Sequence, residues 1–330
     1  MDRPTRVLIN GFGRIGRTIL RQLLTARTDA GIEIIGINDI AAKDLCAYLF
    51  AYDSVFGPFP GHVTTTKDEL VVDSRTFRFS HAPDIATLDL SDIDIVLECT
   101  GIARTSDIAG RGLAAGAGAV LISGPSPAAK VTVVLGANTA ALGDARIVSN
   151  ASCTTNALAP LVKHLHDSLG IVAAHMTTVH CYTSSQPMID APRDNFARSR
   201  AGALSMVPTT TSATHLVTEV LPELKGRITG AALRVPVASV SCIDLTARIR
   251  TAIDEQGLLA VLVKVDPAII GATDLPLVSS DLRSRPESLV LALPEARVTA
   301  PEQIRIFGWY DNEWGFSARM IEMARRMGQR

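Results

Sequence analysis

The sequence is poor in aromatic side chains and carries no excess of charge of either sign. Aromatic residues make up 5% of the 330 residues, so aliphatic side chains must fill the core, as is common in layered α/β proteins. The 32 Lys and Arg residues balance the 33 Asp and Glu residues, and the formal net charge is −1. This balance argues against nucleic acid or an anionic membrane as the main partner.

Long apolar runs and paired cysteines are missing as well. No stretch of about 18 apolar residues occurs, so no membrane-spanning helix is predicted. The opening MDRPTRVLINGFGRIG lacks the apolar segment of a signal peptide. The five cysteines form neither C-x-x-C pairs nor a disulfide framework, and no spacing indicates a metal site. A reducing cytoplasm and no bound metal are therefore expected.

The chain is long enough for two domains, and its pattern changes in the middle. Short apolar segments alternate with helical ones in the first half, which predicts a Rossmann-type, doubly wound and mostly parallel sheet. Longer strands from 171 onward predict an α+β catalytic domain with a large mixed or antiparallel sheet. We expect an NAD-binding domain at 1–151, a substrate domain at 152–314, and a terminal helix at 315–330 packing back on the first domain.

A glycine motif lies between the first predicted strand and the first predicted helix. Gly11, Gly13 and Gly16 form G-x-G-x-x-G, whose glycines permit a tight turn, the approach of a pyrophosphate and close helix–strand packing. Asp39 ends the second strand, 23 residues beyond Gly16, where a carboxylate can accept the ribose hydroxyls of an adenine dinucleotide. A carboxylate repels a 2′-phosphate, so NAD is predicted rather than NADP.

The segment SNASCTTNALAP places Cys153 in the first turn of a predicted helix. Ser152 can cap that helix, and the positive end of the helix dipole lowers the pKa of a thiol there. Cys153 is therefore the candidate nucleophile. The other cysteines, which lie in an apolar helix or in predicted strands, are interpreted as structural (Cys46, Cys99, Cys181 and Cys242).

A thiol nucleophile needs a proton partner, and the best candidate is His180. His175 and His180 share one predicted strand, and five positions put their side chains on opposite faces. His180 lies at the end of that strand, where the polar loop begins.

Motifs along the whole chain resemble those of phosphorylating glyceraldehyde-3-phosphate dehydrogenases. The matching segments are INGFGRIGR, YDSVFG, ECTG, SNASCTTNALAP, TTVHCYT, LPELKGRITG, ALRVP and WYDNEWGFS, which run from residue 9 to 317. The resemblance implies a homotetramer that uses NAD and inorganic phosphate to oxidise a phosphorylated aldehyde in glycolysis. Cys153 would form a hemithioacetal with glyceraldehyde 3-phosphate and His180 would remove its hydroxyl proton. Hydride transfer to NAD would leave a thioester, which phosphate would convert into 1,3-bisphosphoglycerate.

The resemblance also implies two sets of binding residues. The cofactor-binding set comprises Gly11, Gly13, Arg14, Ile15, Gly16, Asp39, Thr100, Ser123 and Asn312, with Asn312 at the nicotinamide carboxamide. In the phosphate set, Thr183 and Arg234 would hold the phosphate of the substrate. Inorganic phosphate would be held by Ser152, Thr154, Arg198 and Thr211, next to Ser212.

Three positions depart from the family's pattern. Ser185 stands where an aspartate is common, Ser212 where a glycine is expected and His215 where a lysine is usual. These changes affect the phosphate sites and leave Cys153 and His180 untouched.

Two alternatives remain open at this point. One is a dehydrogenase of a related phosphorylated aldehyde such as erythrose 4-phosphate, which the retained Thr183 and Thr211 disfavour. The other is a non-catalytic regulator that binds nucleotides or nucleic acid, which the balanced charge and the pair of Cys153 and His180 disfavour.

Overall fold

The structure is a computed structural model that describes residues 3–193 and 195–330. Its α-helices are α1 Arg14–Leu24, α2 Lys43–Ala51, α3 Ser106–Ala114, α4 Cys153–Leu169, α5 Ala213–Val220, α6 Glu255–Leu262 and α7 Trp314–Gly328. Its strands are β1 Thr5–Asn10, β2 Ile32–Asn38, β3 Tyr52–Asp53, β4 Gly57–Pro58, β5 Val63–Thr65, β6 Glu69–Val72, β7 Arg75–Ser80, β8 Ile95–Glu98, β9 Ala119–Ile122, β10 Val131–Thr132, β11 Ile147–Ser149, β12 Ile171–Cys181, β13 Val207–Thr209, β14 Ile228–Val235, β15 Ser241–Ile249, β16 Ile270–Thr273, β17 Leu289–Ala292, β18 Arg297–Ala300 and β19 Gln303–Tyr310.

The chain forms two compact units. The first comprises residues 1–133, 140–151 and 317–330, and the second comprises 134–139 and 152–316. The inclusion of 134–139 in the second unit does not follow from the sequence pattern. The assignment of separate functions to 1–151, 152–314 and 315–330 stays a prediction.

The first unit is built on the predicted, mostly parallel sheet. Its strand order is β10-β11-β9-β8-β1-β2-β7-β6-β5, and every neighbouring pair from β10 to β7 is parallel. The hairpin predicted around 70–79 is present as β6 and β7, which pair antiparallel at the edge. The central strand β8 is buried along its whole length, because side chains cover both faces of a parallel sheet.

One predicted strand of the first half is shorter than expected. The apolar segment VTVVLG at 131–136 pairs with β11 only at Val131 and Thr132. Val133, Val134 and Leu135 are buried. The backbone N–H of Val133 still donates to the Ser149 carbonyl of β11 at 2.9 Å, whereas that of Val134 donates to the Asn138 side chain at 2.8 Å. Apolar side chains signal burial, and a turn can bury them as completely as a strand.

The second unit contains a mixed sheet with the strand order β13-β14-β12-β15-β19-β17-β16, and β18 pairs with β19. The pairs β12–β14 and β16–β17 are parallel, while the other neighbours are antiparallel. Along β12, side chains alternate between the core and the opposite face, so Met176, Thr178 and His180 are buried and His175 is exposed. This alternation confirms that the two histidines lie on opposite faces.

Candidate active site

The glycine loop between β1 and α1 has the geometry that its sequence predicts. Gly11 has φ of +93°, and a Cβ there would lie 2.7 Å from the backbone of Cys99 and Thr100. A Cβ on Gly16 would collide with the carbonyl oxygen of Gly11, so only glycine lets α1 lie this close to the loop. No heavy atom lies within 4 Å of the Cβ position at Gly13. The loop is therefore tight at Gly11 and Gly16 and open at Gly13.

A cavity of about 350 Å³ opens above this loop and is lined by Gly11, Gly13, Asp39 and Thr100 among others. Helix α1 begins at Arg14 with Ile15 in its first turn, and Gly13 at its N-cap provides no side-chain cap. This uncapped helix start suits the negative charge of a pyrophosphate. The Arg14 side chain points elsewhere, since it forms an ion pair with Asp53 at 2.5 Å.

Asp39 lines the same cavity and also holds the loop. Its Oδ2 accepts the backbone N–H of Phe12 at 2.6 Å, and its Oδ1 accepts that of Ala41 at 2.8 Å. A carboxylate oxygen has two lone pairs, so both oxygens can still accept ribose hydroxyls. The cavity, the open Gly13 and this carboxylate together fit an adenine dinucleotide.

A buried polar chain crosses the carboxyl ends of four parallel strands, and the sequence analysis missed it. Glu98, only 3% exposed, accepts from Asn10 Nδ2 at 2.5 Å and from both the N–H and the hydroxyl of Thr100. Asn38 Nδ2 donates to Asn10 Oδ1 at 2.8 Å, and Ser80 Oγ donates to Asn38 Oδ1 at 2.8 Å. The signal in the sequence is a polar residue at the end of each apolar strand.

Ser123 lies beside this chain, directly after β9. Its backbone N–H donates to the carbonyl oxygen of Glu98 at 3.0 Å. The cofactor-binding prediction for Ser123 and Thr100 thus falls on two residues that both contact Glu98.

In the second unit, Cys153 opens α4 as predicted. Ser152 is the N-cap, and its Oγ accepts the backbone N–H of Thr155 at 3.1 Å. The preceding Ala151 has φ of +55°, a left-handed conformation that costs a non-glycine residue about 1 kcal/mol. This conformation sets the direction in which the chain enters α4.

The second unit brings Cys153 and His180 together. Cys153 Sγ lies 3.6 Å from His180 Nε2, although 27 positions separate the two residues. The parallel register of β12 and β14 pairs His180 with Arg234, whose Nη1 lies 2.6 Å from His180 Nδ1. The thiol, the imidazole and the guanidinium thus form one cluster.

Electrostatics in this cluster differ from the sequence-based expectation. Burial raises the pKa of the Cys153 thiol, and a hydrogen bond to Thr154 and the charge of Arg234 lower it only in part. Burial first and Arg234 second lower the pKa of His180 to about 4. The helix start favours a lower pKa for Cys153, but burial acts in the opposite direction and is the larger influence.

Buried groups around the cluster were also missed by the sequence analysis. The Tyr310 hydroxyl lies 2.9 Å from the Thr154 and Thr178 hydroxyls, and burial raises the Tyr310 pKa well above its usual range. The Cys181 thiol, interpreted as structural, donates to Asn312 Oδ1 at 3.1 Å. Because Asn312 Oδ1 accepts this bond, the Nδ2 group of the amide is left for other partners.

Three of the residues predicted to bind phosphate make local hydrogen bonds of their own. Thr183 contacts the Ser185 hydroxyl at 2.9 Å, Arg198 Nε donates to Thr209 Oγ1 at 2.7 Å, and Thr211 Oγ1 accepts the N–H of Ala213 at 3.1 Å.

The departures from the family's pattern lie on exposed side chains in this region. Ser212 is the N-cap residue of α5 but makes no side-chain cap, and His215 is exposed on the same helix. Of the predicted phosphate residues, the structure brings only Arg234 into hydrogen-bond contact with His180.

Residues 3–193 and 195–330 contain neither a cluster of metal-ligating side chains nor a membrane-spanning helix. No group of three or more His, Cys, Asp or Glu side chains is arranged to hold a metal ion. No helix in this part of the chain has the length and apolar character needed to span a membrane.

Comparison with known proteins identifies both halves of the chain. Residues 5–106 match the family model of the glyceraldehyde 3-phosphate dehydrogenase NAD binding domain, and residues 152–312 match that of its C-terminal domain. Glyceraldehyde-3-phosphate dehydrogenases from Cereibacter sphaeroides and Xanthobacter flavus are each 43% identical to this chain. Each comparison covers 98% of this chain and 98% of the relative. Glyceraldehyde-3-phosphate dehydrogenase 1 from Candida glabrata is 39% identical, over 96% of this chain and 97% of its own. The chain therefore belongs to the glyceraldehyde-3-phosphate dehydrogenase family, and its cofactor is NAD.

Proposed function

We propose that the protein catalyses the NAD-dependent oxidation and phosphorylation of glyceraldehyde 3-phosphate to 1,3-bisphosphoglycerate. The observation that carries this proposal is the 3.6 Å contact between Cys153 Sγ and His180 Nε2 at the start of α4. A thiol next to an imidazole is the arrangement that covalent catalysis at an aldehyde requires.

Cys153 is the nucleophile and His180 is the acid and base. The sulfur of Cys153 attacks the aldehyde carbon, and His180 Nε2 takes the proton of the thiol and passes it to the aldehyde oxygen, which gives a hemithioacetal. Nε2 then removes that hydroxyl proton as the carbon loses its hydride, and a thioester on Cys153 results. Bound NAD supplies the hydride acceptor. A phosphate oxygen attacks the thioester carbon, the C–S bond breaks, and Cys153 is regenerated.

Arg234 and Thr183 hold the phosphate of the substrate in this proposal. A guanidinium suits a phosphate dianion because it offers several N–H donors in a fixed geometry. The inorganic phosphate is assigned to Ser152, Thr154, Arg198 and Thr211 with Ser212. The Thr154 hydroxyl is in contact with the Tyr310 hydroxyl. We therefore assign the contact with inorganic phosphate to the backbone N–H groups in the first turn of α4.

The cofactor-binding roles rest on the glycine loop, Arg14, Ile15, Asp39, Thr100, Ser123 and Asn312. Arg14 contributes through its backbone, since its guanidinium is paired with Asp53. Asn312 is assigned to the nicotinamide carboxamide, with its Oδ1 already engaged by Cys181.

We further propose a cytoplasmic homotetramer that acts in glycolysis. The segment from 183 to 206 supports self-association, because several of its large apolar side chains are exposed (Met188, Ile189, Phe196, Leu204 and Met206). All five cysteines are free, which suits a reducing compartment.

The test of the reaction is NADH formation from glyceraldehyde 3-phosphate with and without inorganic phosphate. Steady turnover should require phosphate, and Cys153→Ser should reduce it by about 10³-fold or more while NAD binding, measured by calorimetry, is retained. Cys46→Ala, which removes a buried thiol in α2, is the control and should keep its activity. Equal turnover without phosphate, or an active Cys153→Ser variant, contradicts the proposal.

A further inference from the structure

The two ends of the Asn312 amide have different surroundings. The Cys181 thiol lies 3.1 Å from Asn312 Oδ1 and donates to it. Within residues 3–193 and 195–330, no group accepts a hydrogen bond from Asn312 Nδ2, and this nitrogen is not sealed from solvent. An acceptor for the Nδ2 group must therefore come from solvent or from a ligand.

The direction of the bond between Cys181 and Asn312 follows from the other groups around the sulfur. Burial raises the pKa of Cys181 to about 12, so the thiol carries its proton at neutral pH. The Ser241 side chain donates a hydrogen bond to the sulfur, since this bond lowers that pKa in part. His180 Nδ1, 3.7 Å from the sulfur, lies 2.7 Å from the Cys181 carbonyl oxygen and is placed to donate there. Asn312 Oδ1 is thus the acceptor left for the S–H group.

Ser241 is held in turn by the backbone of the same cysteine. The Cys181 N–H donates to Ser241 Oγ at 3.1 Å, so the hydroxyl proton is free to point at the sulfur. Both residues are 1% exposed, and bulk water does not compete for these bonds. Three hydrogen bonds therefore run in one direction, from the backbone N–H through the hydroxyl and the thiol to the amide oxygen, and bonds arranged in this way strengthen one another.

The backbone next to Asn312 is fixed independently of this chain of bonds. Asp311 Oδ1 accepts the backbone N–H groups of Glu313 and Trp314 at 3.0 and 2.8 Å. Its Oδ2 accepts the N–H of Ser284 at 2.9 Å. These bonds hold the turn between β19 and α7. The question that remains is which end of the Asn312 amide faces outward, since one end offers two donors and the other an acceptor.

We propose that Cys181, supported by Ser241, is a positioning residue that turns the Asn312 Nδ2 group towards the cofactor. The inference rests on the proposed function, in which Asn312 holds the carboxamide of NAD. A carboxamide offers both a carbonyl oxygen and an NH2 group, and a donor at Nδ2 selects the oxygen. An amide that is free to turn would bind either group and would not distinguish between them. Cys181 thus acts on the cofactor only through Asn312.

The test compares NAD with its 3-acetylpyridine analogue, in which a methyl group replaces the NH2 group of the carboxamide and the carbonyl oxygen stays. Calorimetry gives the Kd of each dinucleotide, and the ratio of the two is the selectivity of a variant. We expect Cys181→Ala to weaken binding of the analogue relative to NAD by about threefold or more, because Oδ1, when it faces outward, finds no donor on the analogue. Comparing variants cancels the intrinsic difference between the two dinucleotides.

Two further variants separate positioning from packing. Cys181→Ser keeps a donor at the same place and should retain the wild-type selectivity within about twofold. Cys242→Ala removes a buried thiol from the adjoining strand β15 and should also retain it, since the contact of Cys242 with Thr178 uses the backbone carbonyl oxygen. A selectivity that Cys181→Ala leaves unchanged, or that Cys181→Ser changes as much as Cys181→Ala, overturns the role of Cys181. Such a result with phosphate-dependent NADH formation by the wild type leaves the proposed function standing.

A measurement without any cofactor tests the hydrogen bond itself and does not depend on the folding of the Cys181 variants. An S–H group that donates to a carbonyl oxygen has its infrared stretching band at a lower wavenumber than one without an acceptor. Asn312→Ala removes the acceptor, so we expect one S–H band of the protein to move to higher wavenumber. Identical S–H bands in the wild type and Asn312→Ala would show that Cys181 does not donate to Asn312, and the proposal would be overturned.

Discussion

The glycine loop of the first unit and the thiol cluster of the second unit are assembled in different ways. In the loop, backbone conformation does most of the positioning, and Gly11, Gly13 and Gly16 lie within six residues of each other. The thiol cluster depends on side chains from α4, β12, β14 and β19, and its Thr154–Tyr310 contact spans 156 positions. Substitutions in the loop should therefore act through shape, whereas substitutions in the cluster should act through proton positions.

His180→Gln should show the largest difference between the two regions, because it should affect kcat and not NAD binding. We expect kcat to fall by about 10³-fold, because the substitution removes the acid and base next to Cys153, while the Kd for NAD stays within about twofold. His175→Gln is the matched control on the exposed face of β12 and should retain full kcat. If both variants were equally active, proton transfer by His180 would be excluded.

Acid should destabilise the thiol cluster more than the loop. His180 has a pKa of about 4 in the folded protein, against 6.5 for an ordinary histidine. Between these values the unfolded chain binds a proton that the folded chain does not, so the free energy of unfolding should fall by about 3 kcal/mol as the pH drops from 6.5 to 4. Above pH 6.5 this contribution is constant.

The measurement is urea unfolding of the wild type and His180→Gln across this window. The difference between the two isolates His180, since Asp311, whose pKa is raised by burial, contributes with the opposite sign in both proteins. A difference that does not change with pH would show that the pKa of His180 is the same in the folded and unfolded protein, which contradicts the lowered value.

The smallest effect is expected for Gly13→Ala in the loop. Gly13 has φ of −72° and free space at its Cβ position, so alanine should leave the melting temperature unchanged. The added methyl group would occupy the space through which a pyrophosphate approaches, and NAD should bind about tenfold more weakly. Calorimetry with NAD measures this change.

Gly11→Ala is the contrasting variant in the same loop. Its φ of +93° and the 2.7 Å approach to the backbone of Thr100 should cost about 3 kcal/mol of stability. Equal losses of stability in the two variants would show that the loop tolerates Cβ atoms poorly at both positions and that Gly13 has no special relation to a ligand.

The contrast also explains how much could be predicted from the sequence. The sheet of the first unit, the glycine loop and the capping of α4 by Ser152 are specified by neighbouring residues, and the structure has them. Strand periodicity puts His175 and His180 on opposite faces, and His180, at the end of its strand, lies 3.6 Å from Cys153; the catalytic roles of the two residues stay a prediction.

The proton state of the cluster could not be predicted in the same way. It depends on the register of β12 with β14, which places Arg234 next to His180, and on burial by residues such as Tyr310. Neither quantity is visible in a local motif. The helix start alone favours a lower pKa for Cys153, and burial acts in the opposite direction.

The buried chain from Glu98 through Asn10 and Asn38 to Ser80 has a mechanical consequence for the NAD-binding unit. It joins the ends of β8, β1, β2 and β7 through side-chain hydrogen bonds of 2.5 to 2.8 Å, and Asn10, Asn38 and Glu98 line the cavity. These strands cannot splay apart without breaking charged or amide hydrogen bonds in a buried place. A ligand that enters must be accommodated by the loops beyond the strand ends, so the floor of the cavity keeps its width whether or not a ligand is there.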